Sequence, residues 1–409
     1  MLRGCVRAAV AVVALAVAGN ASAAPAAVLT REQAVARALS ENPEIQSLEA
    51  AVEAAQGVLG ADRRFLRSNP VVDGAVGPRK GADDDTLDWS VGLTQELEIA
   101  GQRGNRIALR EAELLAARAR LEARAVALAA EVRQAFGAAL AARERQQLAG
   151  EATRLAQEAL AAANERLEAG AGTRLEVNTA RVELGRAMRE RGVAEQQQAA
   201  AENNLALLLA VGADTGLQLT GNLGGQLTGS AAALREQAKQ RMDLIAAELQ
   251  LDAAKAAAKL AAAEAFPDIA VGASYRQEEG DRIVQGTLAV PLPIFDRNQE
   301  GRAVATAQVR QAAAELAALQ RRVEAELQLA LSRYETARAT VDAFGNDAVQ
   351  ALEQNLEMVN EAYRAGKIDF LQLLLVRRET LASQQAWIDA QEDLDRAEAE
   401  VLRVLGRLE

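Results

Sequence analysis

Carboxylates and guanidinium groups are the abundant side chains in this sequence that could take part in chemistry. The 409 residues include 57 Asp and Glu, 46 Lys and Arg, no histidine and one cysteine, Cys5. The lack of imidazole excludes Ser-His-Asp triads, and the shortage of thiols excludes most soft metal sites. Paired carboxylates could act as general acids and bases, but here they fall on helical segments where exposure to solvent explains them. The sequence therefore predicts no enzyme, no cofactor and no bound metal.

A pattern that occurs twice indicates which elements would position these charges. Asn164-Glu165, Ala169-Gly170, Leu175, Arg181 and Glu183 return 196 positions later as Asn360-Glu361, Ala365-Gly366, Leu371, Arg377 and Glu379. In both copies a long helical pattern breaks at glycine and restarts, so each copy predicts two helices joined by a tight turn. The sequence predicts repeats at residues 24–223 and 224–409, with long helical hairpins at about residues 103–212 and 297–408.

The composition indicates thin, extended helical packing. Hydrophobic residues make up 50% of the chain but aromatic residues only 3%, so bulky side chains for a thick core are scarce. Apolar residues recur every seven positions from Ile107 to Ala163 and again from Val309 to Met358. Heptads sustained over about 60 residues predict coiled-coil-like helices roughly 90 Å long. A coiled-coil scaffold protein would show the same composition and heptads.

Two segments between the helices have the alternation of β-strands. In residues 88–97, Trp89, Val91 and Leu93 fall on one face with a period of two residues, and residues 268–275 show the same pattern. The four predicted strands are residues 71–77, 88–97, 268–275 and 284–292, of which the first is the weakest. They form strand pairs at about residues 70–98 and 268–294, each flanked by helices.

Strands of this length and pattern fit the wall of an outer-membrane barrel. Four strands cannot close a barrel, and open edges in lipid would leave backbone groups unpaired, so several copies would have to share one barrel. The alternative is a pair of strands packed on the helices of a soluble protein. Residues after the N-terminal apolar run contain no stretch of 18 apolar residues without charge, so no transmembrane helix is predicted.

The N-terminus has the features of an export signal. Arg3 and Arg7 precede an apolar run at residues 8–18, and Ala21-Ser22-Ala23 provides small residues for cleavage, so residues 1–23 are predicted to be a signal peptide. Cleavage would remove Cys5, which precedes the apolar run and so does not fit a lipid-attachment cysteine. The net charge would change from −11 to −13, because the removed segment carries two arginines and no acid. This acidity argues against nucleic acid as a partner.

Motifs in both halves resemble a known family. The first motif is Asn42-Pro43-Glu44-Ile45, which reads as an Asn cap followed by proline in the first helical turn. Its counterpart in the second half begins at Asp243. Both motifs are similar to the first helices of the outer-membrane efflux protein family, the TolC-like exit ducts. Residues 95–106 resemble the strand-to-helix crossing of the heavy-metal efflux branch, the CzcC-like proteins, and residues 290–296 are the partner crossing. The resemblance covers essentially all of the mature sequence.

The resemblance implies a mainly α fold with transmembrane β-structure. It implies a homotrimer in which four strands per chain form a twelve-stranded β-barrel, continued by an α-helical tunnel through the periplasm. The duct would lie in outer-membrane lipid and would be passive. A periplasmic adaptor protein and an inner-membrane pump of the RND type would be its partners.

The resemblance also assigns functions to the two glycine turns. Both would be periplasmic tips where adaptor hairpins dock, with candidate residues Gly170, Gly172, Thr173, Gly366, Lys367 and Asp369. Glycine suits a positive φ, and Thr173 or Asp369 can cap the helix that restarts. The alternative is that these turns only reverse the helices and bind no partner.

Residues beyond the tips are candidates for a periplasmic constriction. Well-known family members carry two aspartates per chain there, but the matching positions hold Gln372 and Leu375, while Glu176 occupies the repeat equivalent of Gln372. An acidic lining would then come from Glu176, and an apolar one from Leu374 or Leu375. The other candidate is Arg377, which with its neighbour Arg378 could pair with acids and hold the tip shut. Simple helix packing and a solvated charge run are the alternatives.

The predicted function is an outer-membrane exit duct for heavy-metal cations such as cobalt, zinc, cadmium or copper. Drug or solvent efflux and type I protein secretion are alternatives within the duct class. An alternative of another class is a periplasmic coiled-coil adaptor or scaffold. An adaptor should show one hairpin flanked by compact β-domains, whereas this chain predicts two hairpins separated by strand pairs.

Overall fold

The computed structural model describes residues 28–80, 85–212, 216–224, 227, 231–238 and 240–408. The predicted signal peptide at residues 1–23 and residues 81–84 of the first strand-pair loop lie outside the described residues.

Long helices alternate with two pairs of strands along the chain. In chain order the elements are β1 (Val28–Leu29), α1 (Arg31–Glu41), α2 (Pro43–Asp62), β2 (Val71–Lys80), β3 (Asp85–Leu97), α3 (Gln102–Glu168), α4 (Arg174–Leu208), β4 (Gln218–Leu219), α5 (Ala231–Ala238), α6 (Met242–Ala263), β5 (Ile269–Glu278), β6 (Asp281–Ala289), α7 (Gln299–Arg364) and α8 (Phe370–Leu405). The mainly helical fold with two strand pairs that the sequence predicts is therefore confirmed.

The four long strands form one antiparallel sheet. Their order is β2-β3-β5-β6, so the two strand pairs are joined side by side through β3 and β5. Within the described part of the chain, β2 and β6 each pair along one side only, which leaves both outer edges of the sheet without a partner.

One face of the sheet is apolar and the other is polar or small. The pairing places Val76 opposite Trp89, Val91 opposite Tyr275, and Tyr275 opposite Val284, so apolar residues of all four strands share a face. The apolar face also carries Val72, Leu87, Leu93, Val271 and Leu288. The opposite face carries Asp73, Asp88, Ser90, Thr94, Ser274 and Thr287. Most of the large apolar side chains on the first face are exposed, as lipid-facing residues of a barrel would be.

The sixth strand ends earlier than the sequence predicted. The alternation suggested a strand to residue 292, but β6 ends at Ala289. Pro291 and Pro293 follow directly, and because proline has no N–H it cannot donate to a strand ladder. Val290 and Leu292 therefore lie beyond the sheet and are exposed.

Helices continue the sheet in the same order as its strands. α2 packs against α3, α3 against α6, and α6 against α7, which matches the order β2-β3-β5-β6. Farther along, α3 packs against α4 and α8, and α8 packs against α7. α3 has 67 residues and α7 has 66, so each is roughly 100 Å long and links the sheet to a helix reversal.

The two longest helices differ in continuity. α7 contains a non-helical residue, Gly345, with φ of 61° and ψ of 152°, whereas α3 has no such interruption. The glycine accommodates this positive φ because it has no Cβ. Beside the break, the Phe344 ring lies 5.6 Å from the Trp387 ring of α8.

An 18-residue stretch of α3 is long and apolar enough to cross a membrane by length and composition, the only such stretch among the described helices. The sequence analysis predicted no transmembrane helix. Of this stretch, 67% is buried in the fold, as in a core helix of a soluble protein.

The thickest hydrophobic core lies midway along α3. Leu128, Val132 and Phe136 of α3 pack with Leu205 of α4 and Leu209 beyond it. The N-terminal segment closes over this core, since β1 pairs in parallel with β4 and α1 packs on α3. Thr30 and Gln33 form a capping box at the start of α1. Asn42 caps α2 with Pro43 in its first turn, as the sequence predicted.

A buried ion pair joins the N-terminal segment to the last helix. Arg31 Nη2 lies 2.5 Å from Asp395 Oδ1, and the Asp395 side chain is only 1% exposed. Gly137 of α3 makes room for this carboxylate, because a Cβ at residue 137 would overlap it. Burial raises the pKa of Asp395, although Arg31 acts in the opposite direction. The pair therefore connects α1, α3 and α8 at one point.

Gly137→Ala is expected to destabilise the protein by about 1–3 kcal/mol, because the added methyl group must displace the Asp395 carboxylate. Gly150→Ala in the same helix is the matched control, because a Cβ at residue 150 meets no atom within 4 Å. The control should gain about 0.5–1 kcal/mol from the better helix former. Thermal unfolding followed by circular dichroism measures both, and equal shifts would contradict the role of Gly137.

Candidate functional site

The first tip, residues 169–173, closes α3 with a Schellman motif. Gly170 has a φ of +71°, and its N–H donates to the Leu167 carbonyl at 3.1 Å. The Ala171 N–H donates to the Arg166 carbonyl at 2.8 Å. In this motif a residue at positive φ satisfies the last carbonyls of a helix, and glycine is favoured because it has no Cβ.

The second tip, residues 365–369, closes α7 in the same way. Gly366 has a φ of +69°, and its N–H donates to the Tyr363 carbonyl at 3.0 Å. The Lys367 N–H donates to the Ala362 carbonyl at 2.8 Å. Both tip glycines thus adopt the positive φ that the sequence predicted. Gly170, Thr173, Gly366, Lys367 and Asp369 are exposed.

The helices after the two tips are capped differently. Thr173 Oγ1 accepts from the Glu176 N–H at 3.2 Å, and Asp369 Oδ1 accepts from the Gln372 N–H at 2.8 Å, so both predicted caps are confirmed. Gln372 Oε1 also accepts from the Asp369 N–H at 3.2 Å, which completes a capping box in the second tip. Glu176 makes no such return bond, and its Oε2 is buried without a hydrogen-bond partner among the described residues.

The turns themselves also differ in packing. A Cβ on Gly172 would lie 3.0 Å from both Arg166 Cβ and the Leu167 nitrogen, so the first tip runs close against the end of α3. The equivalent residue of the second tip is Ile368, which is half-buried in a hydrophobic cluster. Gly172 therefore allows a close backbone approach, whereas Ile368 contributes side-chain packing.

The helix ends beside the two tips contact each other through an aromatic side chain. Tyr363 of α7 is 2% exposed, and its ring lies 5.8 Å from the Phe370 ring of α8. The Arg166 guanidinium of α3 lies over the Tyr363 ring at 5.4 Å, a cation–π contact. Burial, followed by the charge of Glu176, raises the pKa of Tyr363. Sequence analysis did not identify Tyr363, Phe370 or Arg166.

Arg377 is buried, and among the described residues it forms no ion pair. Its Nε donates to Asn360 Oδ1 at 2.8 Å, its Nη2 donates to the same oxygen, and its Nη1 donates to the Leu155 carbonyl at 2.7 Å. The solvated alternative is wrong for Arg377, because the side chain is 8% exposed. In place of the suggested acids, the partners of its guanidinium are an amide oxygen and a backbone carbonyl. Desolvation lowers the pKa of Arg377 to about 10.

Two neighbouring arginines do form ion pairs across helices. Arg378 of α8 pairs with Glu183 of α4, as the sequence suggested. Arg364 of α7 lies 3.4 Å from Glu158 of α3. These pairs are largely exposed, so each contributes little to stability. One pair links α4 to α8 and the other links α3 to α7.

The constriction candidates occupy different surroundings. Gln372 and Leu375 are exposed, whereas Leu374 and Glu176 are half-buried. Leu374 and Arg377 line a groove of about 690 Å³ between α4 and α8, whose floor is formed by alanines of α3. Leu175 and Leu371, which are equivalent in the two repeats, are 75% and 71% exposed. The duplication marked both leucines, but nothing in the sequence showed that they would be exposed.

The first strand-to-helix crossing, residues 95–106, is organised by charge. Arg106 binds Glu98 through two hydrogen bonds of 2.5 and 2.9 Å and lies 3.3 Å from Asp62. Gly101 has a φ of +78° and precedes the first turn of α3. Gln102 accepts from the Ala100 N–H at 2.7 Å and donates to the Phe266 carbonyl at 3.0 Å. The motif thus fixes the junction between the sheet and α3.

The start of α7, directly after the predicted second crossing at residues 290–296, repeats this geometry with other residues. Gln299 accepts from the Arg297 N–H at 2.7 Å, as Gln102 does from Ala100. Asn298 has a φ of +54° and occupies the position of Gly101. Its side chain donates to the Ala261 carbonyl at 2.9 Å, which holds the crossing against the end of α6.

The described residues contain no group of three His, Cys, Asp or Glu side chains that could hold a metal ion. The carboxylates and arginines of the described residues can set the charge of a surface.

Comparisons with known proteins agree with this architecture. The profile of a family described as "Outer membrane efflux protein" matches residues 34–211 and 233–407. The chain is also 25% identical to the cobalt-zinc-cadmium resistance protein CzcC of Cupriavidus metallidurans over 383 residues, which cover 93% of this chain and 90% of that protein.

Solved structures share the fold. A membrane protein from Pseudomonas aeruginosa has a TM-score of 0.78 and 24% identity, covering 92% of this chain and 90% of its own. CusC, a protein that forms a transmembrane channel, has a TM-score of 0.71 and 20% identity. The match covers 96% of this chain and 99% of the CusC chain.

Asn360→Ala is expected to cost about 1–3 kcal/mol of stability, because it leaves two nitrogen atoms of the buried Arg377 unpaired. Asn360→Asp should be much less harmful or stabilising, because it gives the guanidinium a charged partner. Asn164, the repeat equivalent, provides the matched control, since its counterpart Arg181 is exposed. Thermal unfolding of Asn360→Ala, Asn360→Asp, Asn164→Ala and Asn164→Asp measures the change in stability. Similar effects at residues 164 and 360 would contradict the role of Asn360.

Proposed function

Because this chain belongs to the outer membrane efflux protein family, as its motifs indicated, we propose that it is the passive exit duct of a tripartite pump for heavy-metal cations. The family is one of channels rather than enzymes, and it acts at the outer membrane. We infer the cargo and the partners from the observations that follow.

The observation that carries the proposal is the sheet with one apolar and one polar face. The row through Val76, Trp89 and Val91 is suited to lipid, whereas the row through Asp73, Ser90 and Thr94 is suited to water. A sheet with both faces exposed has this pattern when one side faces lipid and the other a hydrated lumen. Helices below the sheet then continue the same wall into the periplasm.

We propose that three copies close this wall into a barrel of twelve strands. The direction of β6 is opposite to that of β2, so β6 of one copy can pair antiparallel with β2 of the next. Such closure satisfies the backbone groups on the two free edges, which lipid cannot do. In the same assembly, the free sides of α4 and α7 meet between copies and close the tunnel.

The proposed cargo is a heavy-metal cation. Support comes from the similarity to CzcC, a protein named for resistance to cobalt, zinc and cadmium. The duct would not choose its cargo through imidazole ligands, since the chain has no histidine. A negative interior would favour the passage of cations over anions. Selection among metals then belongs to the inner-membrane pump.

The proposed docking site for a periplasmic adaptor is the pair of tips. Gly170 and Gly366 set the two turns, and Leu175 and Leu371 project from the next helices as exposed apolar side chains at equivalent positions. An exposed leucine near a helix turn can act as an anchor residue that inserts into an apolar pocket on a partner. Thr173 and Asp369 fix the helix starts, so the anchors are held in defined positions.

Deletion of the gene is expected to increase sensitivity to at least one of cobalt, zinc, cadmium and copper, since the exit path for that cation is lost. Minimum inhibitory concentrations of the four metals and of several hydrophobic drugs measure this, with the gene restored on a plasmid as the control. Sensitivity confined to drugs would replace the metal proposal with drug efflux.

Substitutions at equivalent positions of the two tips are expected to reduce metal resistance unequally. Lys367→Glu reverses a charge on the exposed second tip, whereas Ala171→Glu adds one charge to the first tip. The larger loss is expected for Lys367→Glu, because the change of charge is twice as large. Equal amounts of each variant in the outer membrane are the control, and an unchanged resistance in both would argue against docking at the tips.

A further inference from the structure

A basic and aromatic loop precedes the first strand of the sheet. This loop, residues 63–67, contains Arg63, Arg64, Phe65, Leu66 and Arg67 and is the first part of the connection between α2 and β2. Phe65 is 82% exposed, and the Arg63 and Arg67 side chains are 59% and 61% exposed. Phe65 is one of three highly exposed phenylalanines among the six of the chain, with Phe266 at 63% and Phe295 at 92%.

The loop is held in place by its backbone, which leaves its side chains available. Arg103, from the first crossing, donates to the Arg64 carbonyl at 3.0 Å and to the Arg63 carbonyl at 2.7 Å. At the other end, Gln95 Nε2 donates to the Ser68 carbonyl at 3.1 Å and to Ser68 Oγ at 3.2 Å. The loop is therefore a fixed part of the junction.

The contact with Gln95 places the loop beside the apolar face. Gln95 continues the alternation of Trp89, Val91 and Leu93 in β3, so it lies on the apolar face of the sheet, at its helix-proximal end. The next residue after the loop, Ser68, packs on this side chain. Phe65 and its arginines thus stand at the boundary between the proposed lipid-facing wall and the helices.

The charges of the loop are only partly neutralised. Arg63 lies 2.8 Å from Glu111, and Arg67 lies 3.9 Å from Glu98, which already binds Arg106. For Arg64, no ion pair or side-chain hydrogen bond occurs within the described part of the chain. The equivalent segment of the second repeat has the exposed Phe266 but carries Glu264 and Asp268 and no arginine. The basic character therefore belongs to one repeat only.

We propose that the loop at residues 63–67 binds the phosphate groups of anionic phospholipids in the periplasmic leaflet of the outer membrane. Guanidinium groups bind phosphate oxygens in pairs of hydrogen bonds, and an apolar ring beside them inserts among the acyl chains. Charge complementarity and continuity with the apolar face support a lipid as the occupant. The proposal rests on the proposed barrel, because the barrel puts the loop at the level of the headgroups.

Lipid retention by the purified full-length protein tests this proposal. The protein is incubated in detergent with equal amounts of phosphatidylglycerol and phosphatidylcholine, repurified, and its bound lipids are quantified by mass spectrometry. The wild-type protein should retain the anionic lipid with a preference of about fivefold or more. The variant R63Q/R64Q/R67Q should retain the two lipids nearly equally, and Arg64→Gln alone should lose part of the preference.

A matched control removes three arginines elsewhere. R181Q/R191Q/R338Q carries the same change of net charge on α4 and α7 and should keep the wild-type preference. A preference that is unchanged in the loop variant, or lost equally in the control, would overturn the proposal. Equal retention of both lipids by the wild type would also overturn it and leave the duct standing, because metal resistance is measured separately. A wild type that retains neither lipid would overturn the loop proposal and would likewise leave the duct standing.

Discussion

Backbone hydrogen bonding at the edges of the sheet is the constraint on which the rest of this structure depends. A strand edge in lipid cannot find water for its N–H and C=O groups, so β2 and β6 require partners from other copies. The four strands have 9 to 13 residues, and at one end each is joined through a loop or crossing to α2, α3, α6 or α7. The order of the strands is therefore imposed on α2, α3, α6 and α7, and the cross-section of the sheet sets that of the helical wall below it.

The two crossings hold this arrangement together by different means. Around α3, Arg106 and Glu98 form a charged junction, whereas around α7 the neutral Asn298 and Gln299 make equivalent hydrogen bonds. The duplication thus preserves backbone geometry more strictly than side-chain chemistry. The tips follow the same rule, since both are Schellman turns, yet only the second has a complete capping box.

Local features could be predicted from the sequence, whereas contacts between distant segments could not. The positive φ at Gly170 and Gly366 and the cap at Asp369 depend on a few adjacent residues. The alternation around Trp89 likewise predicted its face of the sheet. By contrast, the Leu155 carbonyl that binds Arg377 is 222 residues away, and the space that Gly137 leaves for Asp395 depends on how α3 meets α8. Periodicity identifies which side of a helix is apolar, but not which side of a neighbouring helix it meets.

The break at Gly345 gives the two long helices different mechanical properties. α3 runs without interruption from the sheet to the first tip, so bending or rotation at one end is passed on to the other end through a continuous helix. α7 covers the same distance to the second tip but contains a joint at Gly345, where rotation of one segment need not turn the other. The two repeats, although similar in architecture, therefore differ in stiffness, because the long helix of the first is continuous and that of the second is interrupted.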